Sequence, residues 1–346
     1  MPTGRTMIDY LNTVVGNQWH TWYSAKPPAL DWLLLTNGGT ALHDNVVFLG
    51  TPKGQRQPLL VAKACRWPEY SQTISHEFGQ LTAVWQQLGD QAIGRIPRPL
   101  HLGQNGADQV LMTDFFAGAV FTSRLRVAAN NLAALTQLLQ RAAVWLRLLH
   151  EQTARPRTAD LQLRHEPYAK RFATLFPLQQ QEQVALREVE TAVSDHTTTA
   201  ATQLIQHGDY WPGNILLRAD DDQLALIDWQ FSAWTTDPSF DLYFLLLATA
   251  VALAGSGTPE QRGQRAAQQL NSWAQTLIPA YLTAYGQPML YSLLPPRLGF
   301  LWACVTAAAR PVETFGIVQD DAMLWRTIFA NLAIMKRRLE VGDWGL

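Results

Sequence analysis

The chain has 346 residues and only two cysteines, Cys65 and Cys304. Two thiols so far apart exclude a disulfide framework and a thiolate zinc site. Both stand in apolar settings and are expected in the core. Charge is also scarce: Asp, Glu, Lys and Arg make up 16% of the chain and the net charge is −1. That balance offers no basic footprint for nucleic acid and no acidic tail. It favours a neutral or modestly charged small partner over a strongly cationic one. Long apolar runs are missing too. The longest, residues 242–254, is too short to cross a bilayer and predicts a buried helix. Met1-Pro2-Thr3-Gly4-Arg5 leads into no apolar signal core. The eight histidines show no paired metal spacing. A cytoplasmic globular protein without a membrane span is expected.

One segment carries chemistry. His207-Gly208-Asp209-Tyr210-Trp211-Pro212-Gly213-Asn214 is followed by Ile227-Asp228-Trp229. Residues 215–218 and 224–227 read as two strands, and Ala219-Asp220-Asp221-Asp222-Gln223 between them reads as a solvated turn. Such a hairpin would bring Asn214, before the first strand, close to Asp228, after the second. One carboxylate, one amide oxygen and the oxygens of a nucleotide suit Mg²⁺, a hard cation that keeps several waters. Phosphoryl transfer wants this set: one Asp for a hydroxyl, an Asn and a second Asp for the metal.

The pattern H-G-D-x-x-x-x-N, a short strand, I-D-W and D-P-x-x-D resembles the aminoglycoside phosphotransferase and choline kinase superfamily. Here it is filled by His207, Gly208, Asp209, Asn214, Asp228, Asp237-Pro238 and Asp241. The resemblance implies an α+β, two-lobed protein-kinase-like fold. A small antiparallel-sheet N-lobe would span residues 1–116, with an N-terminal helical extension. A larger, mostly helical C-lobe would span residues 117–346. It further implies ATP as phosphate donor, with GTP possible, and Mg²⁺ as cofactor. Asp209 would receive the hydroxyl proton, Asn214 and Asp228 would hold the metal, and His207 and Asp241 would brace the loop.

The remaining elements can be read against that expectation. Residues 6–24 predict a helix with Ile8, Leu11 and Val15 on its apolar side. Residues 31–35 and 45–50 predict strands flanking Thr36-Asn37-Gly38-Gly39-Thr40. Gly38 and Gly39 suit a loop that meets nucleotide phosphates with backbone N–H groups, and equally an ordinary hairpin turn. Residues 59–64 predict a third strand with Lys63 inside it. A lysine there is either an edge-strand charge or, by the resemblance, the grip on the α- and β-phosphates. Residues 71–88 predict a helix in which Glu77 falls on the same stripe as Ile74, Phe78, Leu81, Val84, Trp85 and Leu88. A buried carboxylate needs a partner, and Lys63 is the expected one. A hairpin over residues 100–115 would, by the resemblance, lead to a hinge at residues 112–116, whose backbone, Met112 and Asp114 included, would meet the nucleotide base. Residues 130–151 predict a long amphipathic helix, with Leu132 and Val144 among its apolar positions. Thr197-Thr198-Thr199 reads as a polar loop or a helix start.

Only residues 229–240 separate Asp228 from Asp241, leaving little room for a peptide-docking platform. Asp228 is followed by Trp229-Gln230, so a glycine-dependent flip of that loop is not expected. Both features resemble the small-molecule branch of that superfamily, which implies an alcohol acceptor: an antibiotic, an amino alcohol, a sugar or a related metabolite. Trp211, Trp229, Trp234, Tyr210 and Tyr243 supply rings that could stack on a substrate or fill a core. A different class remains open from sequence: a nucleotide-binding pseudokinase or scaffold acting through a protein partner. A kinase acting on proteins fits the short segment less well.

Overall fold

The computed structural model describes residues 6–37, 45–159, 161, 166–286, 290–316 and 321–334. It divides into two compact units, one of Met1–Ala119 with Leu216–Phe231, the other of Val120–Ile215 with Ser232–Leu346.

The first unit begins with α1 (Met7–Trp22), β1 (Leu30–Asn37), β2 (Asn45–Pro52) and β3 (Leu60–Cys65). It continues through α2 (Gln72–Leu88), β4 (Pro99–Asn105), β5 (Asp108–Asp114) and β6 (Gly118–Val120). Five of these strands form an antiparallel sheet in the order β1-β2-β3-β5-β4. Alternation along the strands divides its residues between two faces. On one face Leu30, Leu60, Ala62, Ala64, Val110 and Met112 pack under α1 through Leu11, Val14, Val15, Trp19 and Trp22. Thr6 caps that helix by accepting the N–H of Asp9. Gly50 lies opposite Trp32, and a Cβ there would stand 2.9 Å from the indole. The glycine therefore makes room for the ring. Ile8, expected on the apolar side, is exposed. The helix is committed through Leu11 and Val15 instead.

The other face carries Lys63, which is paired across the ladder with Val47 on β2 and Leu111 on β5. Lys63 is thus on a middle strand, and the edge-strand explanation of this lysine fails. Around it Val47, Leu49 and Val61 are only half-buried, and Leu33 is exposed.

The second unit runs through α3 (Phe121–Ala128), α4 (Leu132–Thr153), β7 (Arg155–Pro156), α5 (Glu166–Leu175), α6 (Gln180–Thr199) and β8 (Thr202–Gln206). Then come β9 (Ile215–Arg218) and β10 (Leu224–Leu226), which fall largely in the first unit, and β11 (Ala233–Thr235). The chain ends with α7 (Ser239–Leu253), α8 (Pro259–Trp273), α9 (Leu277–Tyr285), α10 (Pro296–Phe315) and α11 (Ala322–Ile334). The apolar run becomes α7, buried at every position from Ser239 to Ala250. Tyr281 donates to the Leu242 carbonyl and Tyr243 to the Leu294 carbonyl, so even the phenol groups of this core are satisfied. Leu132 and Val144, expected to be buried in α4, are exposed. Its stripe is Leu135, Leu139, Ala142, Leu146 and Leu149. Thr197, Thr198 and Thr199 finish α6 rather than start a helix. Each hydroxyl donates to the carbonyl four residues earlier, which accommodates threonine in the last turn. Among the described residues no helix is long and apolar enough to cross a membrane.

Candidate active site

In the second unit, β8 ends at Gln206 and the chain enters the 207–214 loop. Gly208 has φ 77°, a left-handed conformation that glycine adopts without penalty. The Asp241 carboxylate, in the first turn of α7, accepts the N–H of His207 at 2.6 Å and of Gly208 at 2.9 Å. Burial pushes the Asp241 pKa up to about 7, against the pull of those two N–H groups and of Arg310. His207 is fully buried, and its Nδ1 accepts the N–H of Asp209 at 3.2 Å. Two tight turns follow: Trp211 N–H donates to Asp209 O, and Asn214 N–H to Trp211 O. They return the chain on itself, so that Asn214 Nδ2 donates to both the carbonyl (3.0 Å) and Oδ2 (2.8 Å) of Asp209. With its nitrogen committed to Asp209, the amide oxygen of Asn214 is the end that could hold a hard cation.

Arg310 of α10 completes this loop. Its Nη1 donates to the Gly208 carbonyl, and its Nη2 lies 3.8 Å from Asp209 Oδ1. Its guanidinium carbon is 5.2 Å from the centre of the Phe240 ring. Nothing in the motif announces this residue. The available signal is an arginine ending the apolar stretch Leu301-Trp302-Ala303-Cys304-Val305-Thr306-Ala307-Ala308-Ala309. A charge on a buried helix face needs a partner.

In the first unit, Lys63 Nζ is 2.8 Å from Glu77 Oε1 and 2.9 Å from Asp228 Oδ1. Glu77 lies on the buried stripe of α2, as its spacing predicted. Its Oε1 also accepts the N–H of Trp229 at 3.2 Å. Burial works against the Lys63 ammonium, but the Asp228 and Glu77 carboxylates outweigh it and hold its pKa above the ordinary lysine range. Burial pushes Glu77 upward against the pull of Lys63. Asp228 follows β10 with φ 65°, in the left-handed region. The β9–β10 hairpin that delivers it is tied down locally: Leu226 N–H donates to Arg95 O, and Arg218 Nη1 to Gly94 O. The Asp220–Asp222 turn is the expected polar one. Arg218 pairs there with Asp220 and Asp221.

Met112 and Asp114 both lie in β5. The Met112 side chain lies in the core under α1, on the sheet face opposite Lys63. Strand parity rather than chemistry decides this, since Met112 pairs with Ala62 and not with Lys63. The Asp114 carboxylate accepts the Tyr23 hydroxyl and pairs with Arg98 at 3.3 Å, so it is occupied within the unit. Gly38 and Gly39 lie outside the described residues. Of the aromatic candidates, Tyr210, Trp229 and Tyr243 are buried core residues, and Arg155 stacks on Trp234 at 3.4 Å. Trp211 is 39% exposed, its indole lying over Gly213, where a Cβ would strike the ring. Asp237 accepts the Ser239 N–H at the start of α7, leaving Asp241 free to brace the loop.

A profile of the phosphotransferase enzyme family matches residues 38–283. The chain belongs to that family, whose members are small-molecule kinases with a hydroxyl acceptor. A comparison with curated proteins finds no match. Three solved structures carry the likeness in fold. The choline kinase LicA from Streptococcus pneumoniae has a TM-score of 0.56 at 12% identity, covering 94% of this chain and 99% of its own. An ethanolamine kinase from Plasmodium vivax has a TM-score of 0.52 at 11% identity, covering 94% and 88%. An aminoglycoside phosphotransferase from Streptomyces rimosus, in complex with ADP and streptomycin, has a TM-score of 0.51 at 17% identity, covering 92% and 100%. At these identities the shared property is the mixed α/β, kinase-like fold.

Proposed function

We propose that this phosphotransferase moves the γ-phosphate of ATP to a hydroxyl of a small molecule. The observation that carries the reading is the Asp209 carboxylate, fixed by Asn214 in a loop whose backbone is braced by Asp241. In this reading Asp209 orients the acceptor hydroxyl and takes its proton late, because positioning and charge stabilisation dominate phosphoryl transfer. Lys63, oriented by Glu77, holds the nucleotide phosphates. The half-buried apolar residues beside it, Val47, Leu49 and Val61, offer a surface for a base. Asp228 and the amide oxygen of Asn214 hold a divalent cation, taken here to be Mg²⁺. The metal supplies neutralisation of phosphate charge when bound. The N-terminal unit is then the nucleotide-binding part, and the helical unit supplies the base and the acceptor contacts.

A small acceptor is supported by the segment after Asp228, which is spent on β11 and on the Asp237 turn before α7 begins. The free, buried thiols of Cys65 and Cys304 suit a reducing, cytoplasmic setting. The test is release of ADP or GDP from ATP or GTP with Mg²⁺ and a panel of alcohols, including choline, ethanolamine, streptomycin and sugars. Turnover with one acceptor and its loss in Asp209→Asn is the expected result. Nucleotide binding with no transfer to any acceptor would overturn it in favour of a scaffold.

A further inference from the structure

Asp209 is the centre of the proposed reaction, yet the contacts that aim it do not all come from its own motif. The peptide joining Gly208 to Asp209 is held at both ends. Its N–H is taken by His207 Nδ1, and its carbonyl receives Arg310 Nη1. The carboxylate beyond it is treated similarly: Oδ2 accepts from Asn214, and Oδ1 faces Arg310 Nη2 at 3.8 Å. Asp241 holds the two preceding N–H groups from the other side. Arg310 arrives from α10, 102 residues away in sequence. Its side chain is only 11% exposed, too enclosed to serve as a general surface for anions. A buried guanidinium is costly unless its donors are used, and here Nη1 serves the Gly208 carbonyl while Nη2 faces the Asp209 carboxylate.

We propose that Arg310 is a positioning residue of the phosphoryl-transfer site, fixing the orientation of the Gly208–Asp209 peptide and the charge environment of the Asp209 carboxylate. The role rests on the reading of Asp209 given above. Arg310 acts through Asp209. Its guanidinium presents two donors in a fixed fork, so one nitrogen can serve the carbonyl while the other faces the carboxylate. A lysine keeps the charge but supplies a single nitrogen, and a methionine keeps the volume and supplies neither.

The test uses the full chain with 5-fluorotryptophan incorporated. Trp211 lies between Asp209 and Asn214, and its ¹⁹F resonance is assigned by its loss in Trp211→Phe. In Arg310→Met that resonance is expected to move and broaden, while Arg310→Lys stays near the wild-type position. ADP release is followed in parallel with water, choline, ethanolamine and streptomycin as acceptors. A misplacement of about 1 Å costs about 100-fold in rate. Arg310→Met should therefore lose about that factor in kcat with KM for ATP changed less than about twofold, and Arg310→Lys should recover about tenfold of it. Where Arg310→Met does not fold, Arg310→Gln takes its place. A Trp211 resonance unmoved by loss of the guanidinium overturns the proposal, as does a kcat loss that merely tracks thermal stability. A wild type that releases no ADP with any acceptor breaks the phosphotransferase reading instead. The resonance then decides the role of Arg310 in the loop by itself.

Discussion

Lys63 and Asp209 are both charged and largely enclosed, and they are held by opposite means. In the first unit side chains hold side chains: the Lys63 ammonium is shared between Glu77 and Asp228. In the second unit the backbone is held: Asp241 takes two N–H groups, Arg310 reaches the Gly208 carbonyl, and Asn214 reaches the Asp209 carbonyl. Ion pairs between side chains rearrange by rotating torsions, whereas a loop anchored through its peptides moves only by giving up several bonds together. On the function proposed above, the first arrangement suits a site that must exchange its partners for an arriving phosphate and cation. The second suits a base that must stay still while the reaction passes.

That contrast can be broken at defined points. The largest effect belongs to Asp209→Asn. Loss of the base should lower turnover by about 10²–10⁴-fold while ADP affinity, measured by calorimetry, stays within about twofold. A variant that keeps a tenth of the wild-type rate would remove Asp209 from the centre of the mechanism. Next is Lys63→Met, which leaves two carboxylates without their cation. Breaking an enclosed pair in this way costs about 3–5 kcal/mol. Urea unfolding should show that loss together with loss of nucleotide binding, and a Lys63→Met/Glu77→Leu double variant should recover part of the stability. No recovery would mean that the two side chains are not coupled.

Above pH 7 Asp241→Asn should cost about 1–3 kcal/mol, because an amide oxygen cannot serve both N–H groups as a carboxylate does. Here pH adds a sign. Burial raises the folded-state pKa from 3.8 to about 7, so the folded chain holds this proton more tightly than the unfolded chain. The resulting stability is complete below the unfolded pKa and is lost as pH rises through about 7. The gap between wild type and Asp241→Asn should therefore be wider at pH 5 than at pH 8, and a constant gap would contradict that environment for Asp241. The smallest effect is a control outside both regions. Thr258 caps α8 in a reciprocal box with Gln261, and Thr258→Ala should cost about 1 kcal/mol with kcat unchanged. If kcat falls as well, the loop is responding to general stability, and the contrast with Lys63 weakens.

How far the site could be read from the sequence depends on whether its geometry is local. The β9–β10 hairpin and the buried place of Glu77 follow from short-range spacing, and both are present in the fold. The Lys63–Glu77 pair was legible because a carboxylate on an apolar stripe demands a cation from a neighbouring element. The face taken by the Met112 side chain was not legible, because strand alternation fixes it only once a neighbour's register is known. Ile8, Leu132 and Val144 were misjudged because one helix can offer two plausible apolar faces, and only its neighbours choose. For Arg310 the sequence shows a charge in need of a partner but not which one, because its partners are a carbonyl and a carboxylate about a hundred positions upstream.

The left-handed backbone at Asp228 has a practical consequence for anyone dissecting this site. Alanine, the usual probe, carries a penalty of about 1–2 kcal/mol in that conformation. An Asp228→Ala protein would thus report a distorted turn and a missing carboxylate in one number. Asparagine tolerates the same φ and removes only the negative charge, so Asp228→Asn separates the two effects. Glycine relaxes the turn without strain and serves as the complementary probe.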